Sequence, residues 1–168
     1  MLLFFGKERS SARKVHLKAA WRLGWVTLLL LLAIPACADV QGDLEDAYMA
    51  HRRGEYEQAI SLYTKVTKAP KLARTQIAVV FLLRGEVFAD KGNYAQAISD
   101  FTRALKLRPN YAQAFYNRGL ALEEKGRLVK AYKDVKRAQY LKPAKEIYKQ
   151  KLIVLENRIK AQKDRPTH

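Results

Sequence analysis

Cysteine and histidine are scarce in this chain. Its one cysteine, Cys37, cannot form a disulfide within the chain, so the fold must be held by packing alone. The three histidines are His16, His51 and His168, and no Cys/His cluster has the spacing of a metal site. A glycine-rich phosphate loop is also missing. The sequence therefore predicts a protein that is not an enzyme and that uses no metal or other cofactor.

Acidic residues are few compared with basic ones. The chain has 32 Lys and Arg against 16 Asp and Glu, a formal net charge of +16. Only six of the basic residues precede residue 39. The rest of the chain is therefore itself strongly basic, which favours anionic partners.

Long hydrophobic runs are limited to one stretch, VTLLLLLAI at 26–34, which is shorter than the about 20 residues of a membrane span. A basic run at 7–22 precedes it. Pro35 and the small residues of Ala36-Cys37-Ala38 follow. This order is typical of a secretory signal peptide, here residues 1–38, with cleavage after Ala38. The predicted location is the periplasm or the cell envelope.

Two other interpretations of this leader stay open. Ile34-Pro35-Ala36-Cys37 resembles a lipoprotein box, in which the cysteine is acylated, although Pro35 departs from that pattern. The long basic region also fits an uncleaved signal anchor, or a start codon assigned too early.

The rest of the chain repeats at a spacing of 34 residues, which predicts a repeat architecture. Five pairs carry the register: Gly85 and Gly119, Gly92 and Gly126, Ala97 and Ala131, Ala104 and Ala138, Pro109 and Pro143. Each unit has the pattern of a helix, a short turn and a second helix. Such units must stack, because one pair of helices cannot bury its apolar faces alone.

Each recurring residue has a physical role. Gly85 has no Cβ, so the partner helix can approach closely. Gly92 ends the first helix, as a C-terminal glycine does. Phe101 fills the space between small residues where the helices cross, and Pro109 stops the second helix.

These residues resemble the tetratricopeptide repeat (TPR) family. The family pattern is met by Phe81, Gly85, Gly92, Ala97, Phe101, Ala104 and Pro109, and again by Phe115, Gly119, Gly126, Ala131, Val135, Ala138 and Pro143. Only Val135 departs from it, in place of an aromatic residue. The resemblance implies an all-α, right-handed α-solenoid.

A weaker unit precedes these two. Its Gly54 aligns with Gly92 and its Tyr63 with Phe101, at an offset of 38. Four inserted residues near 70–73 predict that the next helix starts one turn early. The first helix is predicted to be short, about Leu44 to Arg53. The three units are thus about 40–71, 78–111 and 112–145.

A last helix is predicted at 144–162. Tyr148, Leu152, Leu155 and Ile159 form one apolar stripe on it. We interpret residues 146–168 as a capping helix with a short tail. The alternative is a helix that pairs with a second chain, and the oligomeric state is open.

The TPR resemblance implies that the first helix of each unit lines a concave groove. The predicted partner-binding residues are Tyr48, His51, Arg52, Leu82, Glu86, Tyr116, Asn117, Leu120 and Glu123. This mixture suits a peptide or a helix of another protein. Some family members hold a peptide carboxylate with Asn and Lys; Asn117 matches, but Leu82 and Tyr116 take the lysine positions. The pair Glu123-Glu124 is predicted to be solvated.

Lys130, Lys133 and Arg137 form a second candidate site, a basic face on the convex side. Each basic residue near an anionic membrane adds about 1 kcal/mol of attraction. Nucleic acid is disfavoured, because no aromatic residues are interleaved and an export signal precedes. The sequence therefore predicts an adaptor for other envelope proteins. The alternatives are a peripheral protein on an anionic membrane or envelope polymer and, if the leader is retained, a cytosolic or anchored regulator.

Overall fold

The computed structural model describes residues 35–70 and 72–164. Within these ranges it has helices and no strands. The helices are α1 Pro35–Arg52, α2 Tyr56–Thr67, α3 Arg74–Asp90, α4 Tyr94–Leu107, α5 Ala112–Glu124, α6 Leu128–Leu141 and α7 Glu146–Lys163. Most of the predicted leader and the last four residues lie outside the described ranges. None of the described helices is long and apolar enough to cross a membrane.

The chain divides into two compact units, Met1–Gly42 and Asp43–His168. Of the first unit the structure describes residues 35–42, which are helical. The predicted start of the first helix at Leu44 was wrong, because α1 begins at Pro35. Proline is well suited to the first position of a helix, where its missing N–H would have no partner. The predicted cleavage site after Ala38 thus falls within the first turn of α1.

Glycine turns join the two helices of each repeat. Gly54, Gly92 and Gly126 have φ of 77°, 83° and 71°, a left-handed conformation that glycine adopts without strain. After α3, the Gly92 N–H donates to the Ala89 carbonyl at 2.9 Å and the Asn93 N–H donates to the Phe88 carbonyl at 2.7 Å. The predicted role of Gly92 as a helix stop is confirmed.

Close approach within a repeat depends on a glycine in the first helix. A Cβ added to Gly85 of α3 would lie 2.6 Å from Cε1 of Phe101 on α4, and one added to Gly119 would lie 2.8 Å from Cγ2 of Val135. The prediction that Phe101 fills this space is confirmed. The helix α3 also starts at Arg74, one turn earlier than α5 does in the 34-residue register, as the inserted residues predicted.

A repeated ion pair, which the sequence analysis did not find, ties the units together. Arg84 of α3 donates to both carboxylate oxygens of Asp100 on α4, at 2.7 and 2.8 Å. The same guanidinium donates to Thr64 Oγ1 on α2 at 2.8 Å. One arginine thus joins both helices of its own repeat to the second helix of the preceding one.

The next repeat has the same arrangement 34 residues later. Arg118 of α5 donates to both oxygens of Asp134 on α6, at 2.7 and 2.9 Å, and to Thr102 Oγ1 on α4 at 3.1 Å. This second pair is less buried. Its side chains are 22% and 12% exposed, against 9% and 3% for the pair in the preceding repeat.

The last helix, α7, packs against α6 and extends the hydrophobic core. Leu155 is fully buried in one cluster with Leu122, Leu128 and Val135, and the half-buried Leu152 packs against it. The predicted all-α repeat solenoid is confirmed.

We expect Gly85→Ala to destabilise the fold, because the new methyl group would overlap the Phe101 ring. Overpacking of this kind costs about 1–3 kcal/mol. Urea unfolding followed by circular dichroism measures the loss. Adding Phe101→Leu should recover part of it, since the smaller side chain leaves room for the methyl group. A double variant that loses as much as the two single changes added together would contradict this explanation.

We expect Asp100→Ala to cost about 3–5 kcal/mol of unfolding free energy, because it leaves the buried Arg84 without a counter-charge. Asp134→Ala should cost less, about 1–2 kcal/mol, since Arg118 is partly solvated. Thermal and urea unfolding measure both. As a control, the double change of Arg84 and Asp100 to leucine should be milder than Asp100→Ala. Equal losses for the two alanine variants would contradict the ranking.

Candidate functional site

The first helices of the repeats, together with α7, form one continuous surface. We call it the A-face, meaning the side chains of α1, α3, α5 and α7 that contact one another across these helices. His51 Nε2 of α1 lies 2.7 Å from Asp90 Oδ2 of α3. Asn117 Nδ2 of α5 donates to Glu86 Oε1 of α3 at 2.7 Å. The A-face therefore runs from α1 to α5 through paired polar groups.

Aromatic stacking continues the A-face to α7. The rings of Tyr116 on α5 and Tyr148 on α7 have centroids 4.7 Å apart. Burial raises the pKa of both phenols. The two tyrosines are therefore neutral and serve as apolar surface with a polar edge at any physiological pH.

Glu86 lies at the centre of the A-face. Gln113 Nε2 also donates to Glu86 Oε1, at 3.2 Å, so that two amides serve one carboxylate. Burial raises the pKa of Glu86, and the hydrogen bonds from Asn117 and Gln113 lower it by less. Asn117 is thus engaged within the fold. Its amide donates to a side-chain carboxylate, which a bound peptide carboxylate would have to replace.

The other predicted groove residues divide by burial. Tyr48 and Arg52 are exposed on α1, and Leu120 is half-buried on α5. Leu82 is only 3% exposed and belongs to a core cluster with Ala97 and Phe101. The structure therefore places Leu82 inside the repeat. Its side of α3 is covered by the neighbouring helices, so Leu82 is not available to a partner.

Glu123 is also buried, and its predicted solvation was wrong. Its carboxylate pairs with Lys151 Nζ at 2.6 Å and with the Arg158 guanidinium, both on α7. Its neighbour Glu124 is exposed. The sequence could not show this, because the two cations lie 28 and 35 residues away and reach Glu123 only when α7 docks. Glu123 holds the last helix rather than a partner.

The predicted basic face is exposed. Lys130, Lys133 and Arg137 on α6 are all open to solvent, and Arg137 donates to Asn110 Oδ1 at 3.2 Å. Lys130 and Lys133 border a shallow depression beside Arg118 and Asp134. The carboxylate of Asp134 is already paired with Arg118, so the positive charge of the face stays uncompensated there.

Two features of the described residues remain. First, they contain no group of three or more His, Cys, Asp or Glu that could hold a metal ion. Second, a basic cleft that the sequence analysis missed lies at one edge of the A-face, with Arg108, Lys142 and Lys145 in its lining. Arg108 and Lys142 lie 34 residues apart. The repeat register could therefore have paired them, had it been applied to charged residues as well as to small ones.

Comparisons with known proteins agree with this architecture. Family models described as TPR repeat and tetratricopeptide repeat match residues 85–126 and 112–145. No curated protein matches the chain significantly.

Solved TPR domains have the same fold. The first TPR domain of human RPAP3 is 24% identical, with a TM-score of 0.68, and covers 76% of this chain and 97% of its own. The first TPR of Spaghetti (RPAP3), bound to an HSP90 peptide, is 24% identical with a TM-score of 0.66, and covers 73% and 94%. The Sgt2 TPR domain from Aspergillus fumigatus is 19% identical with a TM-score of 0.67, and covers 77% and 86%.

The fold thus defines an α-helical repeat solenoid. More particularly, residues 85–145 carry tetratricopeptide repeats.

We expect Glu123→Gln to loosen α7, because the neutral amide cannot balance the cations that surround it. Losing a buried charged contact costs about 1–3 kcal/mol. Hydrogen exchange of α7 amides should accelerate, while that of α3 and α4 stays unchanged. Glu124→Gln is the matched control, since it is adjacent and exposed, and it should leave α7 as in the wild type. Equal acceleration in both variants would contradict the anchoring role of Glu123.

Proposed function

We propose that this chain is a non-catalytic adaptor whose A-face binds a peptide or a helix of a partner protein. The observation that carries this proposal is the continuity of the A-face across α1, α3, α5 and α7. Its polar groups are largely paired with one another, as His51 is with Asp90 and Asn117 with Glu86. Tyr48 and Leu120 add apolar area beside them. A surface of this kind can bury a partner without leaving its own charges unpaired.

The solved relatives support a peptide ligand. The first TPR of Spaghetti (RPAP3) is bound to the HSP90 peptide SRMEEVD, and the second TPR domain of human RPAP3 is in complex with the HSP70 peptide SGPTIEEVD. Both peptides have acidic ends. In this chain the centre of the A-face holds Glu86 and Asp90, which would repel such residues. We therefore infer that the partner differs in sequence from these peptides.

The proposed location is the cell envelope. It rests on the leader pattern, with its basic run, its apolar run at 26–34 and the small residues that follow. Cleavage after Ala38, acylation of Cys37 and a retained anchor would all direct the chain there. Partners are then other envelope proteins.

The basic face supports a second candidate function, peripheral docking on an anionic membrane or envelope polymer. Lys130, Lys133 and Arg137 are exposed on one helix. Attraction of this kind is screened near physiological ionic strength, whereas contacts buried on the A-face are screened much less. Salt therefore separates the two candidates.

We expect a cross-linking pull-down from the native envelope to capture the same specific proteins at low and high salt. Tyr48→Ala with Leu120→Ala should abolish this capture, because the pair removes apolar contact area from the A-face. The matched control is Val129→Ala with Tyr140→Ala. These two side chains are 57% and 74% exposed on α6, outside the A-face.

Circular dichroism would establish that both variants are folded. Capture that ignores the A-face changes and disappears at high salt would overturn the adaptor proposal. It would assign binding to the basic face instead.

A further inference from the structure

A cleft of about 340 Å³ lies where the loop between α4 and α5 meets the loop between α6 and α7. Arg108 and Lys142 close the C-terminal ends of α4 and α6, and Lys145 precedes α7. Gln113, Tyr116 and Asn117 line the cleft from α5, so it opens beside the A-face.

The cleft is strongly positive. Its lining includes three cations, and none of the described residues that line it is acidic. Arg108 lies over the Tyr111 ring at 4.5 Å, which fixes the guanidinium at the rim. Within the described residues, Lys142 and Lys145 form no ion pair, and both side chains are exposed. Three like charges around one concave site raise the local potential, which an anion would lower.

Apolar surface lines the opposite side of the cleft. The stacked rings of Tyr116 and Tyr148 lie there. Ile147, at the start of α7, is 53% exposed, although large aliphatic side chains are usually buried. The cleft therefore offers cations on one side and an apolar contact on the other, and a peptide with acidic and aliphatic residues presents both groups together.

We propose that this cleft binds an acidic segment of the partner protein, with carboxylates at Arg108, Lys142 and Lys145 and an aliphatic side chain against Ile147 and Tyr148. This inference rests on the proposed function, because the cleft shares Tyr116 and Asn117 with the A-face. It adds a polarity to that function. The acidic segment lies over the junction of α5 and α7, away from Glu86 and Asp90, whose carboxylates would repel it.

The test uses the full chain and a fluorescein-labelled peptide of alternating glutamate and leucine, read by fluorescence anisotropy at physiological salt. A lysine–leucine peptide of equal length is the probe control. We expect the acidic peptide to bind and the basic peptide not to bind. Lys142→Gln with Lys145→Gln should weaken binding of the acidic peptide by at least about tenfold, since charged hydrogen bonds contribute about 1.5–3 kcal/mol each.

Lys130→Gln with Lys133→Gln is the matched control, because it removes the same charge from exposed positions on α6. It should change the affinity by less than about twofold, as expected of distant screened charges. Equal weakening by the two pairs would overturn the proposal, because attraction would then follow net charge. No binding of the acidic peptide to the wild type would also overturn it.

Vesicles of phosphatidylcholine with phosphatidylglycerol separate a lipid ligand from a protein one. Vesicle binding that depends on Lys142 and Lys145, without binding of the acidic peptide, would assign the cleft to lipid headgroups and overturn the proposal. Failure of the inference remains distinct from failure of the proposed function. If envelope proteins are captured equally by the wild type and the cleft variant, but not by the A-face variant, the adaptor stands and the cleft proposal falls.

Discussion

The buried contact among Arg84, Asp100 and Thr64 is the interaction on which the stack depends. A buried ion pair adds little net stability, but losing one partner is costly, so the arrangement penalises every alternative packing. Because the arginine reaches the preceding repeat, it fixes the position of one unit on the next. Its counterpart at Arg118 does the same one repeat later. The A-face exists as one surface because these contacts hold the first helices side by side.

Sequence reasoning predicted the parts of the fold that depend on side-chain size. Glycine opposite a large residue recurs in the register, as Gly85 does opposite Phe101, and sterics alone explain it. Contacts between charges were missed for a different reason. The repeated arginines and aspartates were visible, but charged residues usually face solvent, so the period did not suggest burial. Glu123 could not be assigned at all, because its partners belong to a helix outside the repeat pattern.

The candidate site was predicted in part. Tyr48 and Leu120 remain available on the A-face, whereas Leu82 lies in the core. Positions carried over from a family resemblance assume that every unit exposes the same face, but α3 is covered on both sides and buries more of its surface. The basic cleft lies in the loops between units. Those loops were interpreted only as helix stops, so their charges received no role.

The central claim is that partners bind the A-face. Photo-cross-linking in living cells tests it most directly, with a benzoylphenylalanine placed at one exposed tyrosine at a time. Tyr48 on α1 is 50% exposed, and Tyr140 on α6 is 74% exposed, so both can report a neighbour. We predict cross-links to discrete proteins from position 48 and none above background from position 140. Discrete cross-links from position 140, with none from position 48, would contradict the account.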